Sequence, residues 1–115
     1  MGILYRSLVS EWLGTMFLLA SVIGLGIMAE NLAAGNMAIA LLGNTIPTGV
    51  ILVVLITIIG PISGAHFNPA VTIARSFTNT FSGIYPGHAV GFVFAQLAAA
   101  VIGAYALKWL FAPTR

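Results

Sequence analysis

The chain holds little that could do covalent chemistry. Its only carboxylates are Glu11 and Glu30, it has two histidines, and it has no cysteine. Disulfides, thiolate metal sites and thiol catalysis are therefore excluded. No catalytic constellation, metal site or cofactor is expected. What remains is hydrogen-bonding chemistry, gathered in the stretch Ser63-Gly64-Ala65-His66-Phe67-Asn68-Pro69-Ala70-Val71-Thr72. Asn68 carries an amide whose NH2 group donates to an oxygen. It stands directly before Pro69, and asparagine then proline is the pattern of a helix N-cap followed by the first helical residue. Outside the stretch, Glu11, Thr48, Ile56, Arg75 and Gln96 are the residues to weigh with it.

The elements that must position these groups lie in a membrane. Sixty per cent of the 115 residues are hydrophobic and 5% are charged, whereas a soluble domain carries about 25% charged residues. Forty-four uncharged residues separate Glu30 from Arg75, and 32 separate Arg75 from Lys108. Three spans are expected, at about residues 8–28, 37–59 and 88–110, each near the ~20 residues that cross ~30 Å of hydrocarbon. Arg6 followed by apolar residues 12–28 has the outline of a signal peptide, but Glu11 opens the stretch, no small-residue cleavage site ends it, and more spans follow. The net charge of +2 is too small and scattered for nucleic acid.

Pro47 is expected to interrupt the second span, and Gly60-Pro61 to end it, because proline removes a backbone donor. Residues 60–67 are a poor helix, and Asn68-Pro69 restarts one of about ten residues, or ~15 Å, with the whole loop and half-helix covering about residues 60–78. Half a bilayer of helix after an uncharged loop reads as a re-entrant segment, which is tolerated at membrane depth only when buried in protein or lining a wet cavity. An ordinary extramembrane loop is the alternative. In the third span Gly91, Ala95, Ala99 and Gly103 recur every four residues and place small side chains on one face for close helix packing. Trp12, Tyr85 and Trp109 suit interfacial anchoring.

The ten-residue stretch from Ser63 to Thr72 resembles the first Asn-Pro-Ala signature of the aquaporin, or major intrinsic protein, family of water and glycerol channels. Glu11-Trp12-Leu13-Gly14-Thr15 is similar to that family's first-helix opening, and Ala95-Gln96-Leu97 to its third helix. The resemblance implies an all-α integral membrane fold of three transmembrane helices plus one re-entrant half-helix, a single half-aquaporin repeat over residues 1–115. It implies a passive channel in the cell membrane, not an enzyme. Asn68, with Pro69 and Ala70, would sit at the pore centre, and the carbonyls of Gly64, Ala65 and His66 would line the loop. His66 would line the pore or hold the loop by hydrogen bonds. Glu11 would brace the loop by accepting its backbone N–H groups, with Gln96 bonding across helices nearby. A simple N-cap for Asn68 and an interfacial glutamate for Glu11 are the plainer readings. The half-helix dipole and the lining donors would pass neutral solutes and exclude cations.

Full-length members of that family have two halves and two Asn-Pro-Ala motifs, and this chain has one. The missing half would be a second copy inserted upside down or a complementary half-channel, and the resemblance implies four pores per assembly. Arg6 and Arg75 on one side balance Lys108 and Arg115 on the other, the near-zero bias that dual topology needs. In the resembled family an arginine follows the second motif, and here that position is Val71. Thr48, Ile56 and Val71 would then face the filter, and Arg75, one turn beyond Val71, would either supply a cation near the pore mouth or anchor to headgroups. Such a filter points to small neutral solutes, namely water, polyols or metalloid acids. A non-conducting subunit or a remnant of a broken full-length channel is the alternative function.

Overall fold

In the computed structural model, which describes residues 2–78, 84 and 86–111, four helices follow one another, with no strand among the described residues. They are α1 (Gly2–Leu32), α2 (Met37–Ser63), α3 (Pro69–Arg75) and α4 (Pro86–Leu110). The helices α1, α2 and α4 are long and apolar enough to cross a membrane. All three are longer than expected. A helix of 31 residues is about 46 Å long, so α1 must tilt or emerge from the hydrocarbon. Most large apolar side chains on these helices are exposed, such as Leu41, Val53 and Ile58 on α2 and Phe94 on α4. That is the burial pattern expected when lipid is the solvent for the outer faces.

The connection between α1 and α2 is tight. Ala34 and Gly35 have φ of 53° and 87°, and a Cβ at Gly35 would meet nothing within 4 Å, so it is the left-handed backbone that suits glycine there. Asn36 caps α2 by accepting from the N–H groups of Ala38 and Ile39 at 3.1 and 3.2 Å.

Two expectations about α2 are corrected. The helix runs through Pro47 without a break and continues past Pro61 to Ser63. A proline deletes one N–H donor, but the next turns still form, and in lipid the backbone has no competing partner outside the helix. Thr45, Thr48 and Thr57 turn their hydroxyls onto the carbonyls four residues earlier, at 2.7, 2.6 and 2.7 Å. Gly64 ends the helix in the left-handed conformation, φ 89°, and donates to the Gly60 carbonyl. The half-helix is also shorter than expected, seven residues rather than about ten. It stops at Arg75 because the Ser76 hydroxyl bonds the Ile73 carbonyl at 2.6 Å and the Thr78 hydroxyl bonds that of Arg75 at 2.9 Å. Tyr85, Arg115 and residues 79–83 of the expected polar connection lie outside the described residues.

The helix α1 is central. It packs against α2 on one side and α4 on the other, and α3 packs on α4. The small-residue stripe of α4 meets α1: a Cβ at Gly91 would come 3.1 Å from Leu8, and one at Gly103 3.5 Å from Leu19. Ala99 between them is fully buried. The largest demand falls on Gly14 of α1. A Cβ there would lie 2.0 Å from Cε1 of Phe67. The Phe67 ring cannot withdraw cheaply, because it belongs to a buried cluster with Leu55, Ile59 and Ala65.

Gly14→Ala should therefore lower stability by about 1–3 kcal/mol through overpacking. Gly49→Ala on α2, where a Cβ meets nothing within 4 Å, should raise it by up to about 1 kcal/mol through helix propensity. Unfolding in detergent followed by circular dichroism compares the two; equal effects would show that the Phe67–Gly14 contact carries no weight.

Candidate functional site

The loop from Gly64 to Asn68 is held in a conformation that its own residues resist. Ala65 and Phe67 have φ of 55° and 57°, and Gly64 has 89°. Left-handed backbone at two non-glycine residues costs free energy and persists only when its surroundings impose it. Here the imposing group is Glu11. Its Oε2 accepts from the Ser63 hydroxyl at 2.7 Å and the His66 N–H at 3.0 Å. Its Oε1 accepts from the Phe67 N–H at 2.8 Å and from Gln96 Nε2 at 2.7 Å. Glu11 has no exposure to solvent. Four donors, two of them backbone, satisfy the carboxylate that burial would otherwise make costly.

A second set of bonds ties the loop to α3 and α4. Gln96, 1% exposed, also donates to the Thr72 hydroxyl at 2.9 Å, and that hydroxyl lies 2.9 Å from His66 Nδ1. The His66 ring is tilted against Phe92, with centroids 5.3 Å apart. The buried Gln96 Oε1 and Thr15 Oγ1 have no partner among the described residues. Glu11, Gln96, Thr72 and His66 thus form one buried polar chain across α1, α4, α3 and the loop. Ser7 adds a tie below it, donating to the Ile62 carbonyl at 3.0 Å.

Asn68 stands at the open end of this construction. It is exposed, its backbone is extended, and its Oδ1 accepts from the Ala70 N–H at 2.8 Å. The cap uses the oxygen and leaves the NH2 as the outward donor, so capping and donating are compatible. Pro69 fills the first helical position, Ala70 is exposed and Val71 half-buried. Gly64, Ala65 and His66 are buried.

The filter candidates separate into two groups. Arg75 is half-buried and its guanidinium donates to the Gly64 carbonyl at 2.8 Å. It is held to the loop. Thr48 and Ile56 lie on α2. The Thr48 hydroxyl donates to the Asn44 carbonyl and lies 3.3 Å from Asn44 Oδ1, and Ile56 is 48% exposed. Three residues had no assigned role in the sequence reading. They are Ser63, Thr72 and Gly14. Thr72 could have been found from its position four residues after Asn68, on one helix face. Gly14 gave no signal, because its partner Phe67 is 53 residues away.

The sequence that builds this site, a buried glutamate on a first span bracing a loop with an Asn-Pro-Ala start to its half-helix, matches a known family. The model of the major intrinsic proteins matches residues 2–115. The chain belongs to the major intrinsic protein family. Members of the family are channels, not enzymes. The chain is 49% identical over 100 residues to the aquaglyceroporin AqpS of Rhizobium meliloti, covering 87% of this chain and 41% of that protein. It is 36% identical over 111 residues to aquaporin NIP6-1 of Arabidopsis thaliana, covering 96% and 34%. It is 39% identical over 106 residues to nodulin-26 of Glycine max, covering 92% and 37%. The chain thus spans about two fifths of the length of the relatives it matches. No solved structure matches it significantly. The protein is a multi-pass membrane protein of a channel family.

Glu11→Gln tests the brace with almost no change in shape. The amide presents an NH2 where two donors now converge, so at least one backbone N–H, that of His66 or Phe67, loses its acceptor and faces another N–H. Stability should fall by about 3–5 kcal/mol, as when one partner of a buried charged network is removed. Recovery of monodisperse protein after detergent extraction and its unfolding midpoint measure this. A variant as stable as the parent would mean that the loop is held by something other than the carboxylate.

Proposed function

We propose that this chain is one half of a passive membrane pore for water and small neutral solutes. The observation that carries the reading is the state of Asn68. Its oxygen is committed to the cap of α3 at 2.8 Å, its NH2 remains a donor, and the residue is exposed although it sits between membrane spans. An outward amide donor in that position suits an uncharged oxygen, such as that of water or an alcohol. It offers nothing to a cation, and the loop before it presents no side-chain carboxylate, since Glu11 is fully used.

A seven-residue α3 is about 10 Å long, roughly a third of the hydrocarbon thickness. Residues 1–115 supply one such element, so the remaining depth has to be lined by an opposing half. An inverted second copy, with Asn68 facing Asn68 across a two-fold axis in the membrane plane, is the simplest supply. A complementary half is the other. By family resemblance the completed pores would group in fours, in the cell membrane.

Val71 follows the motif where the resembled second half has an arginine, and Thr48 and Ile56 are small or apolar. A filter built from them is wider and less polar than one for water alone. That supports solutes of polyol or neutral metalloid-acid type beside water, in keeping with the name of the Rhizobium relative, an aquaglyceroporin.

Purified protein in liposomes should shrink and reswell under a glycerol gradient faster than empty liposomes. Asn68→Leu should cut the water and glycerol rates about tenfold or more, the effect of removing one hydrogen bond to a desolvated solute. Thiol labelling of single cysteines at both termini in intact cells reports topology. Labelling of both ends from outside supports the inverted pair, whereas a single uniform orientation rules it out and leaves the complementary half. No flux from the purified chain, alone or with a second half, would retire the channel reading in favour of a non-conducting subunit.

A further inference from the structure

The cation on the re-entrant segment is engaged with the loop itself. Arg75 is the last residue of α3. Its guanidinium reaches back 11 residues in sequence to donate to the carbonyl of Gly64 at 2.8 Å. The arginine side chain thus closes the loop and the half-helix into a ring. Its chain is half-buried rather than extended into solvent.

Three features make this bond more than a surface tie. The half-helix is far too short to be stable alone, since isolated helices below about 12 residues are marginal. Its start is fixed by Asn68 and its middle by Thr72, and the Arg75 side chain joins its far end to the loop. The accepting residue, Gly64, is the left-handed turn at which α2 stops. Holding Gly64 therefore fixes the origin of the strained loop. Lastly, the charge stands at the C-terminal end of α3, where a cation is favoured by the helix dipole.

The position of the charge matters for selectivity. A run of backbone carbonyls facing a narrow lumen is the chemistry that coordinates and admits alkali cations. A loop of carbonyls from Gly64 onward, read as a pore wall, would carry that same affinity. Arg75 occupies an acceptor site of the first of them and puts a full positive charge within hydrogen-bond distance.

We propose that Arg75 is the positioning residue of the half-pore: it clasps Gly64 to fix the loop, and its charge cancels the affinity of the loop carbonyls for cations. The clasp rests on the contact alone, while the cation-excluding role rests on the reading of this loop as a pore wall.

The test uses the full chain in liposomes with Arg75→Met and Arg75→Lys. Two readouts are taken from the same samples, backbone hydrogen exchange over residues 63–68 and potassium leak under a diffusion potential. In Arg75→Met the exchange of the loop amides should rise about tenfold or more, as expected for loss of a hydrogen bond to a charged group, with α1 and the first half of α2 unchanged. Potassium leak should rise above that of the parent. Arg75→Lys keeps a donor and the charge, and should restore both readouts most of the way. Unchanged loop exchange in Arg75→Met, an equal rise over all helices, or an unchanged potassium leak each overturns the proposal. A parent that passes no glycerol, with an Arg75→Met variant that still loosens the loop and leaks potassium, would count against the solute reading and leave the clasp in place.

Discussion

The architecture depends on one carboxylate. Glu11 is fully buried, and its two oxygens accept four hydrogen bonds from Ser63, His66, Phe67 and Gln96. Remove it and left-handed Phe67 loses the acceptor of its N–H, while Ser63 and His66, close on either side of left-handed Ala65, lose theirs. The interaction is mutual. A naked carboxylate in hydrocarbon is prohibitively costly, so the loop is as necessary to Glu11 as Glu11 is to the loop. Strain and burial, each unfavourable alone, cancel against each other.

That exchange explains why α1 lies in the middle. The helix carrying Glu11 must reach the loop after α2 and Gln96 on α4 at once, and it packs against both helices. Close approach then falls to small residues. Gly14 admits the Phe67 ring, and Gly91 and Gly103 let α4 lie against Leu8 and Leu19. The polar chain onward through Gln96, Thr72 and His66 transfers the same fixed geometry to α3, so that Asn68 is presented by a scaffold and not by a loose turn.

The membrane class and the three spans were legible from charge spacing alone, because hydrocarbon tolerates few charges and the pattern is hard to produce otherwise. The re-entrant segment was legible from Asn68-Pro69 as a cap and start. What was not legible has physical reasons. Proline was weighed as a helix terminator, as it is in water, and in lipid α2 runs on past Pro61 for lack of any other partner for its backbone. The length of α3 turned on the hydroxyls of Ser76 and Thr78 folding back onto carbonyls, a local competition that hydrophobicity does not register. The pairing of Arg75 with Gly64 and of Gly14 with Phe67 arises only when distant segments meet. Motif position pointed to Glu11 as the brace of the loop, but not to Arg75 on Gly64 or to Thr72 between Gln96 and His66.

The separations of the Glu11 partners set an order in time. Its nearest partner in sequence is 52 residues downstream and its farthest 85. As the chain grows from its amino end, α1 exists as an apolar segment with an unmatched carboxyl group until residues 63–67 have been made, and its last partner comes only with α4. A first span that settles in lipid ahead of the others therefore carries Glu11 without these donors, at a cost. A wet or proteinaceous surrounding for that one side chain lowers the cost until the loop and α4 arrive.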